Sequence, residues 1–251
     1  MYQTFIFDLY GTLVDIRTYE ETPRLWKKMS EIYASMGASY KPAELKRELR
    51  RLQAIQEEEV FQKWGGALSK AEVEPDLTTV FAQLYEQKGC PVEEGVARMT
   101  ALTFRVLSRR MIKVYDGVKE TLTALREKGK KIYLLSNAQR DFTRPELTML
   151  GLVPYFDGIL ISSEEGCKKP SPQFYQTLLQ RYGLQAKDCL MVGNDEFSDI
   201  AGAIRMGMDS LYMHTEISPQ LEEKSKATYC VMEGGFRKAA EILLQVAQSD
   251  R

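Results

Sequence analysis

The chain has 251 residues, enough for one large domain or two modest ones with a buried core. Its 34 basic and 35 acidic residues are interspersed and leave a formal charge of −1, which offers nothing to nucleic acid or to an anionic membrane. His214 is the single histidine, which removes Ser-His-Asp and Cys-His catalysis and histidine-based metal sites. The four cysteines (Cys90, Cys167, Cys189, Cys230) are dispersed and fit neither zinc spacing nor a disulfide framework, so a reducing cytoplasm is the expected compartment. No signal segment precedes the first strand pattern, and no apolar run approaches a membrane span.

The first element is a buried strand over Thr4–Phe7, followed at once by Asp8, then Gly11, Thr12 and Asp15. The β pattern then stops for almost a hundred residues. Thr22-Pro23 reads as a cap and first turn, with Leu25, Met29, Ile32 and Met36 at helical spacing up to Gly37. A second helix carries Leu45, Leu49, Leu52 and Ile55, a third Leu77, Val80, Phe81 and Leu84, and a fourth Val92, Val96, Met99 and Val106. Four amphipathic helices with short joints predict a small bundle inserted after the first strand.

From Val114 onward helices and strands alternate. Strands are expected at 131–135, 158–162, 189–192 and 210–213, with an edge strand at 228–232. Helices are expected at about 117–128, through Pro145 to Leu150, at 172–182, from Asp199 to Gly207, and at 237–246. This order predicts an α/β fold: a Rossmann-like parallel sheet core flanked by helices, with the helical bundle as a cap. The core comprises 1–16 and 113–251, and the cap 17–112, with joints near Ile16 and Lys113.

Four strand ends carry residues suited to phosphoryl chemistry: Asp8, Ser136-Asn137, Lys169, and Asn194-Asp195 with Asp199. In a parallel sheet these ends converge on one edge. Asp8 is the candidate nucleophile, able to form an acyl-phosphate. Thr12, Ser136 and the amides around Asn137 are candidate donors to transferring oxygens, and Lys169 neutralises nucleophile and phosphoryl group together. Asp195 and Asp199 are candidates for Mg²⁺, which prefers oxygen ligands. Taken singly, Ser136-Asn137 is also a helix cap, Lys168-Lys169-Pro170 a solvated loop, and Asn194, Asp195 and Asp199 turn and cap residues.

Together the segments Phe-Asp-Leu-Tyr-Gly-Thr-Leu-Val-Asp, Leu-Leu-Ser-Asn, Lys-Lys-Pro-Ser-Pro-Gln-Phe and Val-Gly-Asn-Asp-Glu-Phe-Ser-Asp-Ile-Ala-Gly-Ala resemble the four motifs of the haloacid dehalogenase superfamily. The resemblance spans the whole chain and implies a mobile cap and an aspartyl-enzyme intermediate on Asp8. It assigns hydroxyl donors to Thr12 and Ser136 and the lysine to Lys169, and adds the backbone carbonyl of Tyr10 to the Mg²⁺ set of Asp8, Asn194, Asp195 and Asp199. Two positions depart from the phosphatase pattern. Tyr10 stands where phosphatases carry a general acid, as it does in the dehalogenases, and its hydroxyl either donates weakly or packs beneath the cap. In the fourth motif either Asn194 or Asp195 falls at the metal position, with Asp195 the better ligand by charge.

Three functions follow: Mg²⁺-dependent hydrolysis of a small phosphorylated metabolite, metal-free 2-haloacid dehalogenation, and binding or regulation on a catalytically weak scaffold. The substrate and the oligomeric state are not read from the sequence. Arg24, Lys27, Lys28 and Lys41 are the cap residues considered for specificity.

Overall fold

The structure, a computed structural model, describes residues 2–248. In chain order the elements are β1 (Thr4–Phe7), β2 (Val14–Thr18), α1 (Pro23–Ser35), α2 (Pro42–Lys63), α3 (Leu77–Glu86), α4 (Glu94–Ser108), β3 (Arg109–Val114) and α5 (Val118–Glu127). They continue with β4 (Lys131–Ser136), α6 (Arg140–Met149), β5 (Gly158–Ile161), α7 (Ser162–Glu165), α8 (Pro172–Tyr182) and β6 (Cys189–Gly193). The last are α9 (Ala201–Arg205), β7 (Asp209–Met213), β8 (Tyr229–Val231) and α10 (Gly235–Val246).

Six strands form one parallel sheet in the order β5-β4-β1-β6-β7-β8. The inner strands are continuous apolar runs because both faces are covered. One face packs against α5 and α10 through Phe5, Phe7, Leu122, Leu134, Val192 and Leu243. The other packs against α8 and α9 through Ile6, Leu135, Met191, Phe174, Leu178 and Ala203. After β1 the chain builds outward through β4 and β5, then returns to the other side of β1 with β6. The direction of winding therefore reverses between β1 and β6, where open α/β sheets form a crevice at their carboxyl ends.

The helices α1–α4 close a second apolar cluster around Trp26, Tyr33, Phe81, Tyr85 and Phe104, which Phe142 of α6 joins. The expected helices are present, but three inward faces differ from the pattern of large residues: in α2 Gln56 is buried and Ile55 is exposed. In α1 the buried set is Leu25, Trp26, Met29 and Tyr33, and Met36 is exposed. In α4 the buried set is Ala97, Thr100, Ala101, Phe104 and Ser108, whereas Met99 and Val106 face solvent. Most of the residues that turn inward there are small.

The expectation that no strand follows Asp15 before the α/β alternation is corrected by β2 and β3. They pair antiparallel, with Asp15 opposite Lys113 and Ile16 opposite Ile112. The two joints expected near Ile16 and Lys113 thus lie side by side in one ribbon. Its strands are short and only partly buried: β2 alternates over Val14-Asp15-Ile16-Arg17, too short a run to stand out, and β3 opens on Arg109-Arg110 and lacks the apolar alternation that marks a strand in sequence.

A second attachment lies between α2 and α3. Leu68 and Val73 are buried in the cluster beneath the sheet, with Phe61 and Trp64 packed on it. Val73 bridges Cys167, and Lys168 N donates to Glu72 O at 2.8 Å.

Candidate active site

The site forms at the carboxyl ends of β1, β4 and β6, on either side of the reversal point. Asp8 follows β1 directly, and its amide donates to Val192 O of β6 at 2.9 Å. Gly11 then turns the chain at φ +88°, and a Cβ there would meet the Asn194 amide nitrogen at 2.3 Å. Only glycine allows both the left-handed backbone and that approach. The turn brings Thr12 back over Asp8. Thr12 Oγ1 lies 3.3 Å from Asp8 Oδ2 and 3.3 Å from Asn194 Oδ1.

Lys169 Nζ donates to Asp8 Oδ1 at 2.6 Å and lies 2.8 Å from Asp199 Oδ1, so the three side chains form a buried carboxylate–ammonium–carboxylate chain. Burial alone would depress the lysine's pKa, but the charges of Asp199 and Asp8 outweigh it and raise it. Burial pushes the Asp199 carboxyl up to about 7, with Lys169 pulling against that and Asp8 and Asp195 adding to it. Two carboxyl groups thus crowd one ammonium in a dry site. Gly193 makes room for this, since a Cβ there would lie 2.2 Å from Asp199 Oδ2.

Ser136, at the end of β4, is buried, and its hydroxyl has no hydrogen-bond partner among the described residues. The Asn137 side chain is tied to the backbone of Lys169. Its side-chain amide donates to Lys169 O at 2.9 Å and accepts from Lys169 N at 2.8 Å. The reciprocal pair fixes the backbone from which the lysine extends. The neighbouring Ala138 amide is taken by Ser162 Oγ at 2.8 Å.

Asn194 and Asp195 diverge. Asn194 is buried between Thr12 and Ser218, donating to Ser218 Oγ at 3.3 Å. Asp195 caps the turn that opens Glu196–Ile200, accepting from Phe197 N at 2.8 Å and Ser198 N at 3.2 Å, while its amide donates to Asp199 Oδ2 at 3.1 Å. The charged residue is therefore engaged by its own helix start, and the amide residue faces the Asp8 loop.

Tyr10 is turned from the nucleophile toward α6. Its hydroxyl donates to Glu146 Oε2, and Thr143 Oγ1 lies 3.1 Å away. Glu146 is itself held by Arg105 and Arg109. Burial raises the tyrosine's pKa, and the Glu146 charge raises it further.

Several contributors carry no signal in the sequence. Thr215 Oγ1 donates to Gly11 O at 2.8 Å and pins the turn after the nucleophile, and the Tyr175 hydroxyl lies 3.0 Å from the Asp199 carbonyl. Glu146 reads in sequence as one more acidic residue on an amphipathic helix. Of the considered cap cations, Arg24 and Lys28 line an outer cleft of about 200 Å³ with Leu25, Val106 and Arg110. The Lys41 amide donates to Glu44 at the start of α2.

A family model described as haloacid dehalogenase-like hydrolase matches residues 2–207. Among curated proteins, a phosphoserine phosphatase of Thermus thermophilus is 28% identical over 66% of this chain and 63% of its own length. A ribulose-1,5-bisphosphate 5-phosphatase of Halopiger xanaduensis is 36% identical over 43% of this chain and 46% of its own. The chain thus spans about half the length of the curated relatives it matches. Among solved structures, a 2-haloacid dehalogenase from Pseudomonas syringae superposes with a TM-score of 0.67 at 18% identity, covering 98% of this chain and 100% of that one. A phosphatase from Thermococcus onnurineus gives 0.55 at 19%, covering 96% and 97%. Those two likenesses are of fold. The chain belongs to the haloacid dehalogenase-like hydrolases, an enzyme family. Among the described residues, no helix is long and apolar enough to cross a membrane.

Proposed function

We propose that the chain is a Mg²⁺-dependent phosphatase acting on a small phosphomonoester through an aspartyl-phosphate on Asp8. The observation that carries this reading is the Asp8–Lys169–Asp199 chain, with its 2.6 Å and 2.8 Å contacts, beside a buried Ser136 hydroxyl left without a partner among the described residues. A divalent cation held beside these carboxyl groups would add the positive charge that a phosphate dianion needs. The phosphatase names of the curated relatives support the same reading.

The residues fit Mg²⁺ through a mixed oxygen set. No group of three or more His, Cys, Asp or Glu side chains suited to a metal occurs among the described residues. Mg²⁺ needs no such cage, because it retains water and uses one or two carboxylates beside the substrate phosphate. Asp8, Asn194 Oδ1 and the Tyr10 carbonyl would hold it, with Asp199 behind them. Asp195 is less suited than its charge suggests, because its carboxylate caps the following turn. Bound there, the cation would neutralise charge on the phosphoryl oxygens.

The chain's own groups supply the rest. Lys169 keeps Asp8 ionised and covers part of the charge that gathers on the transferring group. Thr12 and the unpartnered Ser136 hydroxyl donate to its oxygens. Asn137 holds Lys169 in register. Asp8 attacks phosphorus, the bond to the ester oxygen breaks and that oxygen takes a proton from solvent to leave as the alcohol, and water then attacks the acyl-phosphate, releasing inorganic phosphate and a proton and regenerating the carboxylate. The Tyr10 hydroxyl is committed to Glu146, so it does not protonate the leaving group.

A second reading, metal-free dehalogenation, is favoured by Tyr10 and by the neutral Asn194 facing the nucleophile loop. One screen separates the two: phosphate release from monoesters with and without Mg²⁺, run beside halide release from 2-haloacids. Phosphate release that needs Mg²⁺ supports the proposal. Halide release in chelator supports the second reading, and silence in both assays overturns both. A reducing cytoplasmic location belongs to the same proposal and rests on the unpaired, dispersed cysteines.

A further inference from the structure

Glu146 lies on α6, outside the phosphoryl-transfer groups, yet it is 2% exposed and has both carboxylate oxygens fully engaged. Oε1 accepts from Arg105 Nε at 2.8 Å and from Arg109 Nη1 at 2.8 Å. Oε2 accepts from Arg105 Nη2 at 3.1 Å and from the Tyr10 hydroxyl. The Arg105 guanidinium also sits 5.3 Å from the Tyr10 ring centre and 5.5 Å from that of Phe142. Burial would raise the carboxyl, but the hydrogen bonds and charge of Arg105, with Tyr10 and Arg109, bring it below the usual range.

These partners come from three separate parts of the chain. Tyr10 is two residues beyond the nucleophile. Arg105 is in the last turn of α4, the end of the inserted helices, and Arg109 begins β3 of the connecting ribbon. We propose that Glu146 is a positioning residue: it clamps the Asp8 loop and the inserted helices into one arrangement, through Tyr10 on one side and Arg105 and Arg109 on the other. Any swing of α1–α4 about the β2–β3 ribbon carries Arg105 away from α6. It would leave a nearly inaccessible carboxylate without its bidentate partner, and that is strongly disfavoured. The inserted helices are thus held against the core, and their placement is coupled to the loop bearing Asp8. An isolated surface ion pair could not do this, because solvent would replace either partner at little cost.

The experiment is hydrogen exchange read by mass spectrometry on the full chain, comparing wild type with Glu146→Gln, Arg105→Met and the double variant. Each single change is expected to accelerate exchange at least tenfold in residues 8–18 and 109–114, with β4, β5 and β6 unaffected. The double variant exchanges no faster than the faster single one, because both changes open the same clamp. Unchanged exchange in those segments, equal acceleration in every strand, or additive effects in the double variant would each overturn the proposal.

A kinetic readout rests on the phosphatase reading. With p-nitrophenyl phosphate and Mg²⁺, Glu146→Gln should lower kcat at least tenfold and change KM less than threefold, since the nucleophile and not the substrate contact is displaced. A change confined to KM would count against the clamp. If wild type releases no phosphate, the phosphatase reading fails and the exchange result still decides the clamp.

Discussion

Two buried charge networks lie on either side of the loop from Asp8 to Thr12, and they are built on opposite plans. In the Asp8–Lys169–Asp199 chain the Thr12 hydroxyl is shared at 3.3 Å between Asp8 and Asn194, and the Ser136 hydroxyl has no partner among the described residues. In the Tyr10–Glu146–Arg105–Arg109 cluster every carboxylate lone-pair direction is used, and two guanidinium groups surround one carboxylate. Unspent hydrogen-bonding capacity in a dry pocket is costly and marks a place where a ligand completes the set. A saturated cluster has nothing left to offer a ligand and serves to hold segments together. One loop joins the two: Asp8 belongs to the first and Tyr10 to the second.

The largest effect should come from breaking the open network at its nucleophile. Asp8→Asn keeps the shape but supplies an amide that cannot form the acyl-phosphate, and kcat is expected to fall on the order of 10⁴-fold or more. Phosphate release assayed on a variant of unchanged circular dichroism checks this, and near-normal turnover would sink the covalent route.

Breaking the closed network should cost stability before chemistry. Glu146→Ala leaves Arg105 and Arg109 partly buried without a counter-charge, an expected loss of about 3–5 kcal/mol by urea denaturation. Replacing Glu146 by Leu together with Arg105 by Met should recover part of it, because a well-packed apolar pair needs no partner while Arg109 stays without its counter-charge. A double variant weaker than Glu146→Ala would show that the cluster is more than a pair of compensated charges.

Tyr10→Phe sharpens the contrast, since Tyr10 touches only the closed network through its hydroxyl. Loss of a hydrogen bond to an ionised acceptor predicts a drop of about 1.5–3 kcal/mol. Aryl and alkyl phosphates should lose turnover in the same proportion. A much greater fall for alkyl phosphates, whose leaving groups need protonation, would mean that the hydroxyl does act as the acid.

Asn194→Asp tests the open network with the smallest expected change. A carboxylate facing Thr12 and the nucleophile loop should lower the Mg²⁺ half-saturation about tenfold, as ligand charge increases. Calorimetric titration of Mg²⁺ reads this directly, without reliance on turnover. Equal affinity in both proteins would place the cation away from residue 194.

The core was legible in the sequence wherever one local pattern was enough. Strands buried on both faces are written as continuous apolar runs, so β1, β4, β6 and β7 were readable within a residue or so. Each run stops at the residues now gathered at the sheet edge. The β2–β3 ribbon was missed because its residues are partly exposed and charged, and the ladder exists only because the chain enters and leaves the inserted helices at one place. The inward face of α4 was misread for a related reason. Met99 and Val106 carry apolar bulk but face solvent, while Ala97, Thr100, Ala101, Phe104 and Ser108 are the buried residues.

The residue types and their order were sufficient to predict the parallel sheet, the inserted helices and the convergence of Asp8, Thr12, Ser136, Lys169 and Asp199. All of these follow from chain periodicity and from the rule that parallel strands end on one edge. Which way Asn137, Asn194, Asp195 and Tyr10 turn was decided only in three dimensions. Each of these side chains has a choice of partners, and the winner is set by groups brought near from far along the chain: Lys169 for Asn137, Ser218 for Asn194, and Glu146 with Arg105 for Tyr10. Asp195 is the local exception, captured by the amides of its own turn. Spacing in sequence places a side chain at an edge, but competition among buried hydrogen bonds sets its direction.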